Sequence, residues 1–141
     1  MNYYEKQITE KDKKEIREFC NIFNLRVVFE SYNYADIPKN KIYINEKYPL
    51  SIAWSAIFHE LQHFICYREG KFLKYHNMHK NYNKSWFKKY IRRMGLKIEI
   101  YVDIKAEELM NIYLPDIPYE QAYRTRESQL SYKEWIKESF Q

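Results

Sequence analysis

The strongest constraint on the fold of this chain is a pair of histidines in an apolar segment, within the HExxH sequence His59-Glu60-Leu61-Gln62-His63. Residues four apart lie one turn apart on the same face of an α-helix, so a helix would direct both imidazoles to one point. Two such imidazoles can bind one tetrahedral Zn²⁺. A Glu directly after the first His can reach a water at that metal and act as a general base. The motif therefore predicts a zinc site with His59 and His63 as ligands and Glu60 as the base.

The residues around the motif predict one long, largely buried helix. Segment 51–70 is rich in apolar residues, and Ser51 follows Pro49 at a position typical of an N-cap. Gly70 is typical of the residue that follows a helix C-terminus. A buried imidazole without a partner is costly. The alternative to a metal site is therefore two core histidines with ordinary hydrogen bonds, and the Glu between them favours the metal site.

The rest of the sequence predicts a single α+β domain over residues 1–141, with a small, mostly antiparallel sheet packed on the HExxH helix. The scarcity of glycine, 2 residues in 141, argues against phosphate-binding glycine loops and a turn-rich all-β fold. We expect strands at 25–32 and 41–45, separated by a polar loop at 33–40. The predicted helices besides the HExxH helix are one from Thr9 to Asn24, a short one at 86–94 closed by Gly95, one at 96–114 ended by Pro115, and a last one opened by Ser131.

A third metal ligand is expected downstream, because catalytic zinc sites usually take three protein ligands and leave one position for water. Glu99 begins an apolar helical face that continues through Ala106 and Met110, and Asp103 lies one turn further on that face. We predict Glu99 as the third ligand. Asp103 would then accept a hydrogen bond from the far nitrogen of a ligand histidine. The alternative is a half-exposed Glu and Asp on an ordinary amphipathic helix.

His76 and His79 are alternative third ligands, because the connection after the HExxH helix is long enough to return to the metal. They can equally be ordinary loop histidines. Glu107 and Glu108 are weaker candidates further along the Glu99 helix.

Peptide-bond hydrolysis at such a site also needs a hydrogen-bond donor for the developing oxyanion. Tyr75, Tyr101, His76 and His79 are candidates, and the sequence does not choose among them.

Charge and cysteine content place few further limits on function. The net charge is only +5, because 19 acidic residues offset most of the 24 lysines and arginines. A nucleic-acid-binding role for Lys88, Lys89, Arg92 and Arg93 is therefore less favoured than an ordinary solvated helix face. The chain begins without a signal-peptide pattern, and no apolar run reaches the ~20 residues that span a bilayer. We therefore expect a cytoplasmic protein without membrane association, in which the two cysteines are reduced.

These residues resemble the HExxH-plus-Glu metallopeptidases, the gluzincins, and most closely their compact minigluzincin and ImmA/IrrE-like members. That group combines a strand and an HExxH helix with a later helix in which a Glu is followed by Asn or Asp, then Ala, then Leu with Leu or Met. The matching positions here are Glu99, Asp103, Ala106, Leu109 and Met110. Val102 replaces a usual small residue and Lys105 an apolar one, and the resemblance covers about residues 25–115.

The resemblance implies a zinc metallopeptidase with a protein or peptide substrate, such as the repressor of a mobile element. A second resemblance is to SprT-like DNA-associated proteases, in which a later His, here His76 or His79, precedes an aromatic-basic helix such as segment 86–95. Two features differ from that family. The spacing from the His to Trp86 is longer than in its usual HGxxF or HGxxW motif, and the Gly after the His is absent. A third alternative is a non-catalytic regulatory protein that keeps the zincin fold.

Overall fold

Three strands and the helices around them bring the HExxH segment to the centre of the protein. The computed structural model describes residues 7–77 and 85–120. The helices in these residues are α1 (Glu10–Ile22), α2 (Leu50–Arg68), α3 (Leu73–His76) and α4 (Ser85–Tyr113), and the strands are β1 (Arg26–Glu30), β2 (Tyr34–Asp36) and β3 (Lys41–Asn45). A 3₁₀ turn, Ile37–Lys39, connects β2 to β3.

The sheet formed by these strands is mixed, with the order β1-β3-β2. β1 pairs with β3 in parallel and β2 pairs with β3 antiparallel, so the expected mostly antiparallel sheet is corrected to a mixed one. The α+β class itself is confirmed. The sequence also predicted a loop at 33–40, whereas the structure places the strand β2 within this segment. Because β2 is a short edge strand with an exposed start, its sequence lacks the alternation that marks a buried strand.

α2 is the predicted HExxH helix, and its C-terminus is formed as expected. Gly70 has a φ of 77°. Its N–H donates to the Tyr67 carbonyl at 3.0 Å, and the Lys71 N–H donates to the Cys66 carbonyl at 2.8 Å. This pair of hydrogen bonds is the Schellman motif. The N-terminus differs from the prediction, because Pro49 occupies the N-cap position and Ser51 lies buried inside the helix.

α4 is one continuous helix, so the predicted break at Gly95 is wrong. A glycine inside a helix costs only about 1 kcal/mol relative to alanine. Buried residues that follow it, Ile98, Ile100 and Val102, fix the helix by tertiary packing. The predicted start of α1 at Thr9 is confirmed, because Thr9 is the N-cap and forms a capping box with Asp12, whereas the helix predicted from Ser131 lies outside the described residues.

The core lies where α2 packs against the sheet, α1 and α4. Phe58 and Leu61 of α2 belong to one buried cluster that includes Ile44 of β3 and Met110 of α4. Both cysteines are buried and free, and burial raises the pKa of the Cys20 thiol to about 12. Within the described residues, none of the helices combines the length and the apolarity that crossing a membrane requires.

We predict that Gly70→Ala lowers the free energy of unfolding by about 1 kcal/mol, because a Cβ is strained at positive φ. Among the described residues other than Gly70 and its two chain neighbours, no heavy atom lies within 4 Å of the Cβ that alanine would add, so the loss comes from the backbone. Gly70→Asn is the matched control and should lose less, because Asn tolerates the left-handed region. Urea denaturation measures both. Equal stability of the alanine variant and the wild type would contradict this account.

Candidate metal centre

Two helices place three ligand-type side chains at one point. His59 and His63 project from the same face of α2, and Glu99 projects from α4. The Oε2 atom of Glu99 lies 2.7 Å from Nε2 of His59 and 3.1 Å from Nε2 of His63. Both histidines are buried, and Glu99 is partly buried. The structure therefore brings together the three residues that the sequence predicted as ligands.

The three side chains can hold a metal ion. Each offers one ligand atom, and these atoms all lie within 4.8 Å of one another. In a tetrahedral site with bonds of about 2.0–2.1 Å, ligand atoms lie about 3.3 Å apart. The distances of 2.7 and 3.1 Å from Glu99 Oε2 to the two imidazoles need only small changes to reach that spacing. Two imidazole nitrogens and a carboxylate oxygen are also a usual ligand set for a catalytic metal.

His63 is oriented by His76 on its far side. Nδ1 of His76 donates to the Lys71 carbonyl at 3.0 Å, because a carbonyl oxygen can only accept. Burial and the nearby His63 lower the pKa of His76 to about 4, so His76 is neutral and its Nε2 is an acceptor. Nδ1 of His63, 3.0 Å from that atom, must then donate to it. This arrangement leaves Nε2 of His63 to face Glu99.

Asp103 has the corresponding position behind His59. Its Oδ1 lies 3.4 Å from Nδ1 of His59 and also accepts a short hydrogen bond from the Tyr119 hydroxyl. Asp103 is fully buried. A buried carboxylate at this position favours a proton on Nδ1 and leaves Nε2 to face Glu99. The structure thus places Asp103 where the sequence predicted the acceptor for a ligand histidine.

The electrostatics of the cluster require a positive charge between its members. Burial alone would raise the pKa of Glu99, but His63 and His59 hold it well below its usual range, so Glu99 is ionised. Burial lowers the pKa of His59, but hydrogen bonds to Asp103 and Glu99 outweigh this and raise it to about 10. A carboxylate and two imidazole lone pairs that face one another repel unless a proton or a metal cation lies among them. A divalent metal satisfies the same requirement and displaces the proton.

A cavity of about 180 Å³ opens beside the cluster. Glu60, His63 and Glu99 line it, together with Tyr34 and Ala35 of the edge strand β2. Burial raises the pKa of the Glu60 carboxyl, and the two histidines of the motif act against this. The predicted base therefore faces the same space as the cluster.

The candidate oxyanion donors and the alternative ligands lie in different places in the structure. Tyr75 lines the cavity, and its hydroxyl donates to Oε1 of Glu99 at 2.5 Å. Tyr101 belongs to a separate apolar cluster, where its hydroxyl accepts from Lys71 at 3.2 Å. His76 lies behind His63 instead of joining Glu99, and His79 lies outside the described residues. Glu107 and Glu108 are not members of the metal-binding group.

Sequence reasoning missed Tyr119 and Glu120, which follow α4. Tyr119 reaches Asp103, and the Glu120 N–H donates to Oγ of Ser55 at 2.9 Å. Residues 114–120 have no helical or strand pattern, so only the fold brings them to the site.

No protein-family model, no curated protein and no solved structure matches the chain. What the structure shows of the predicted site is that His59, His63 and Glu99 lie close enough together to hold a metal ion.

We predict that His76→Phe weakens metal binding about 10- to 100-fold, because it removes the acceptor that orients His63. His63→Phe should weaken binding far more, because it removes a ligand. Competition with a fluorescent chelator measures the metal affinity of both variants. Equal losses would mean that His76 is itself a ligand, and an unchanged affinity in His76→Phe would mean that the contact does not orient His63.

Proposed function

We propose that the protein is a zinc-dependent metallopeptidase of the gluzincin type. The observation that supports this most is the convergence of His59, His63 and Glu99 beside a cavity lined by Glu60. Two buried imidazoles whose far nitrogens face an acceptor are suited to a metal that performs chemistry, because their orientation is fixed in advance.

His59, His63 and Glu99 would hold the zinc, which when bound polarises the scissile carbonyl and lowers the pKa of water toward ~7. Glu60 accepts a proton from the attacking water and delivers it to the leaving amine. Its position directly after His59 and its place on the cavity wall allow both transfers without a large movement. Tyr75 is the favoured oxyanion donor, because it lines the cavity and its hydroxyl can turn from Oε1 of Glu99 to the oxyanion, whereas Nε2 of His76 accepts from His63 and has no proton to donate.

The edge strand β2 provides a binding surface for an extended substrate. It is the outer strand on one side of the described sheet, and Tyr34 and Ala35 line the same cavity as Glu60 and Glu99. An extended peptide can add to such an edge through main-chain hydrogen bonds. We therefore propose a peptide or an extended segment of a protein as the substrate. A mobile-element repressor as the substrate and a cytoplasmic location stay predictions from the sequence, and nucleic-acid association stays the less favoured alternative.

We predict that Glu60→Gln keeps the zinc content of the protein and lowers peptide cleavage by about 10²- to 10⁴-fold, because it removes the group that transfers the proton. The wild type and the variant are loaded with one equivalent of zinc. Zinc is quantified by mass spectrometry, and cleavage is followed with a diverse peptide library. Glu108→Gln is the matched control, because Glu108 is exposed and pairs only with Lys105 at 3.4 Å among the contacts described.

Undiminished cleavage by Glu60→Gln would contradict the role of this residue. Loss of zinc in the same variant would show that Glu60 is a ligand. A zinc-loaded wild type that cleaves no peptide in the library would overturn the peptidase proposal and favour a non-catalytic zincin-fold protein.

A further inference from the structure

A second cavity, of about 140 Å³, adjoins Glu60 on the side toward the N-terminal half of α2. Ile52, Ser55 and Ala56 form its helical wall, and Asp103 and Glu120 line it from α4 and the segment after α4. Asn33 and Glu60 line both this cavity and the larger one beside the metal cluster. A peptide whose scissile bond lies next to Glu60 can therefore place one neighbouring side chain in each cavity.

The second cavity is acidic. Glu60, Asp103 and Glu120 line it, His59 is the one basic side chain among the described residues that line it, and none of them is a lysine or arginine. Asp103 faces His59 and Tyr119, and Glu60 is assigned to proton transfer. Oε1 of Glu120 is shielded from solvent and has no hydrogen-bond partner among the described residues. A buried carboxylate oxygen is costly without a donor, and a cationic donor satisfies it best.

Hydrogen bonds to the main chain and to Tyr119 fix the segment that carries Glu120. The Glu120 N–H donates to Oγ of Ser55 at 2.9 Å, and that hydroxyl donates to the Ser51 carbonyl at 2.7 Å. The neighbouring Tyr119 hydroxyl donates to Asp103. Segment 119–120 is therefore attached to both α2 and α4. The side chain of Glu120 can be changed without removing any of these hydrogen bonds.

We infer that the second cavity binds a lysine or arginine side chain next to the scissile bond, and that Glu120 pairs with its cationic head. The alkyl part of such a side chain would pack on Ile52 and Ala56, because long cationic side chains bury their stems on apolar surface. The inference extends the proposed function, since it names the class of peptide that the peptidase would select.

A binding experiment tests the cation site without requiring catalysis. The protein is titrated with n-butylguanidine and with uncharged butan-1-ol, and amide signals are followed by NMR. We expect the cation to shift the signals of Ser55 and Glu120 and to bind at least about 10-fold more tightly than the alcohol. Glu120→Gln should remove this preference. Asp116→Asn, which changes an exposed carboxylate in the same segment, should retain it. Equal binding of both probes, or an unchanged preference in Glu120→Gln, would overturn the inference.

A cleavage experiment then separates the inference from the proposed function. In the zinc-loaded wild type, lysine and arginine should be enriched at one position next to the cleaved bonds of a peptide library. Glu120→Gln should reduce this enrichment about 10-fold, and Glu120→Lys should shift it to aspartate and glutamate. Cleavage without any basic preference would overturn the inference and leave the peptidase proposal intact. Cation binding through Glu120 without cleavage of any peptide would support the cation site and count against the peptidase.

Discussion

The arrangement of this protein depends on one partly buried carboxylate, that of Glu99, placed between two imidazoles of α2. A carboxylate that loses its water needs positive charge and hydrogen-bond donors nearby. His59 and His63 lie at 2.7 and 3.1 Å from one of its oxygens, and Tyr75 donates to the other. This contact connects α2, α3 and α4 at one point. Their relative positions are therefore determined by polar groups as well as by the apolar core.

Both histidines are oriented by partners behind them, and those partners come from different parts of the chain. His76 lies at the end of α3 and faces His63, whereas Asp103 lies on α4 and faces His59. Tyr119 in turn donates to Asp103. Such a network holds close together the three side chains that could bind a metal ion. It also leaves Glu60 directed toward the two adjoining cavities, where a substrate can reach it.

The sequence was most informative where spacing alone determines geometry. The HExxH motif and the Glu99–Asp103 spacing follow the helical repeat, so the faces that carry these residues could be predicted. The break expected at Gly95 was wrong because packing outweighs the weak helix propensity of one glycine. β2, the position of His76 and the contacts of Tyr119 and Glu120 depend on tertiary structure. Loop residues carry no periodic signal that could reveal them.

The coordination sphere of bound zinc decides whether His59, His63 and Glu99 form a metal centre. Crystals of the zinc-loaded protein, with anomalous diffraction recorded at the zinc edge, would locate the metal and its ligands. The account predicts one zinc ion with Nε2 of His59, Nε2 of His63 and a carboxylate oxygen of Glu99 at about 2.0–2.2 Å. A zinc ion bound by His76 in place of Glu99, or no zinc bound at His59 and His63, would contradict it.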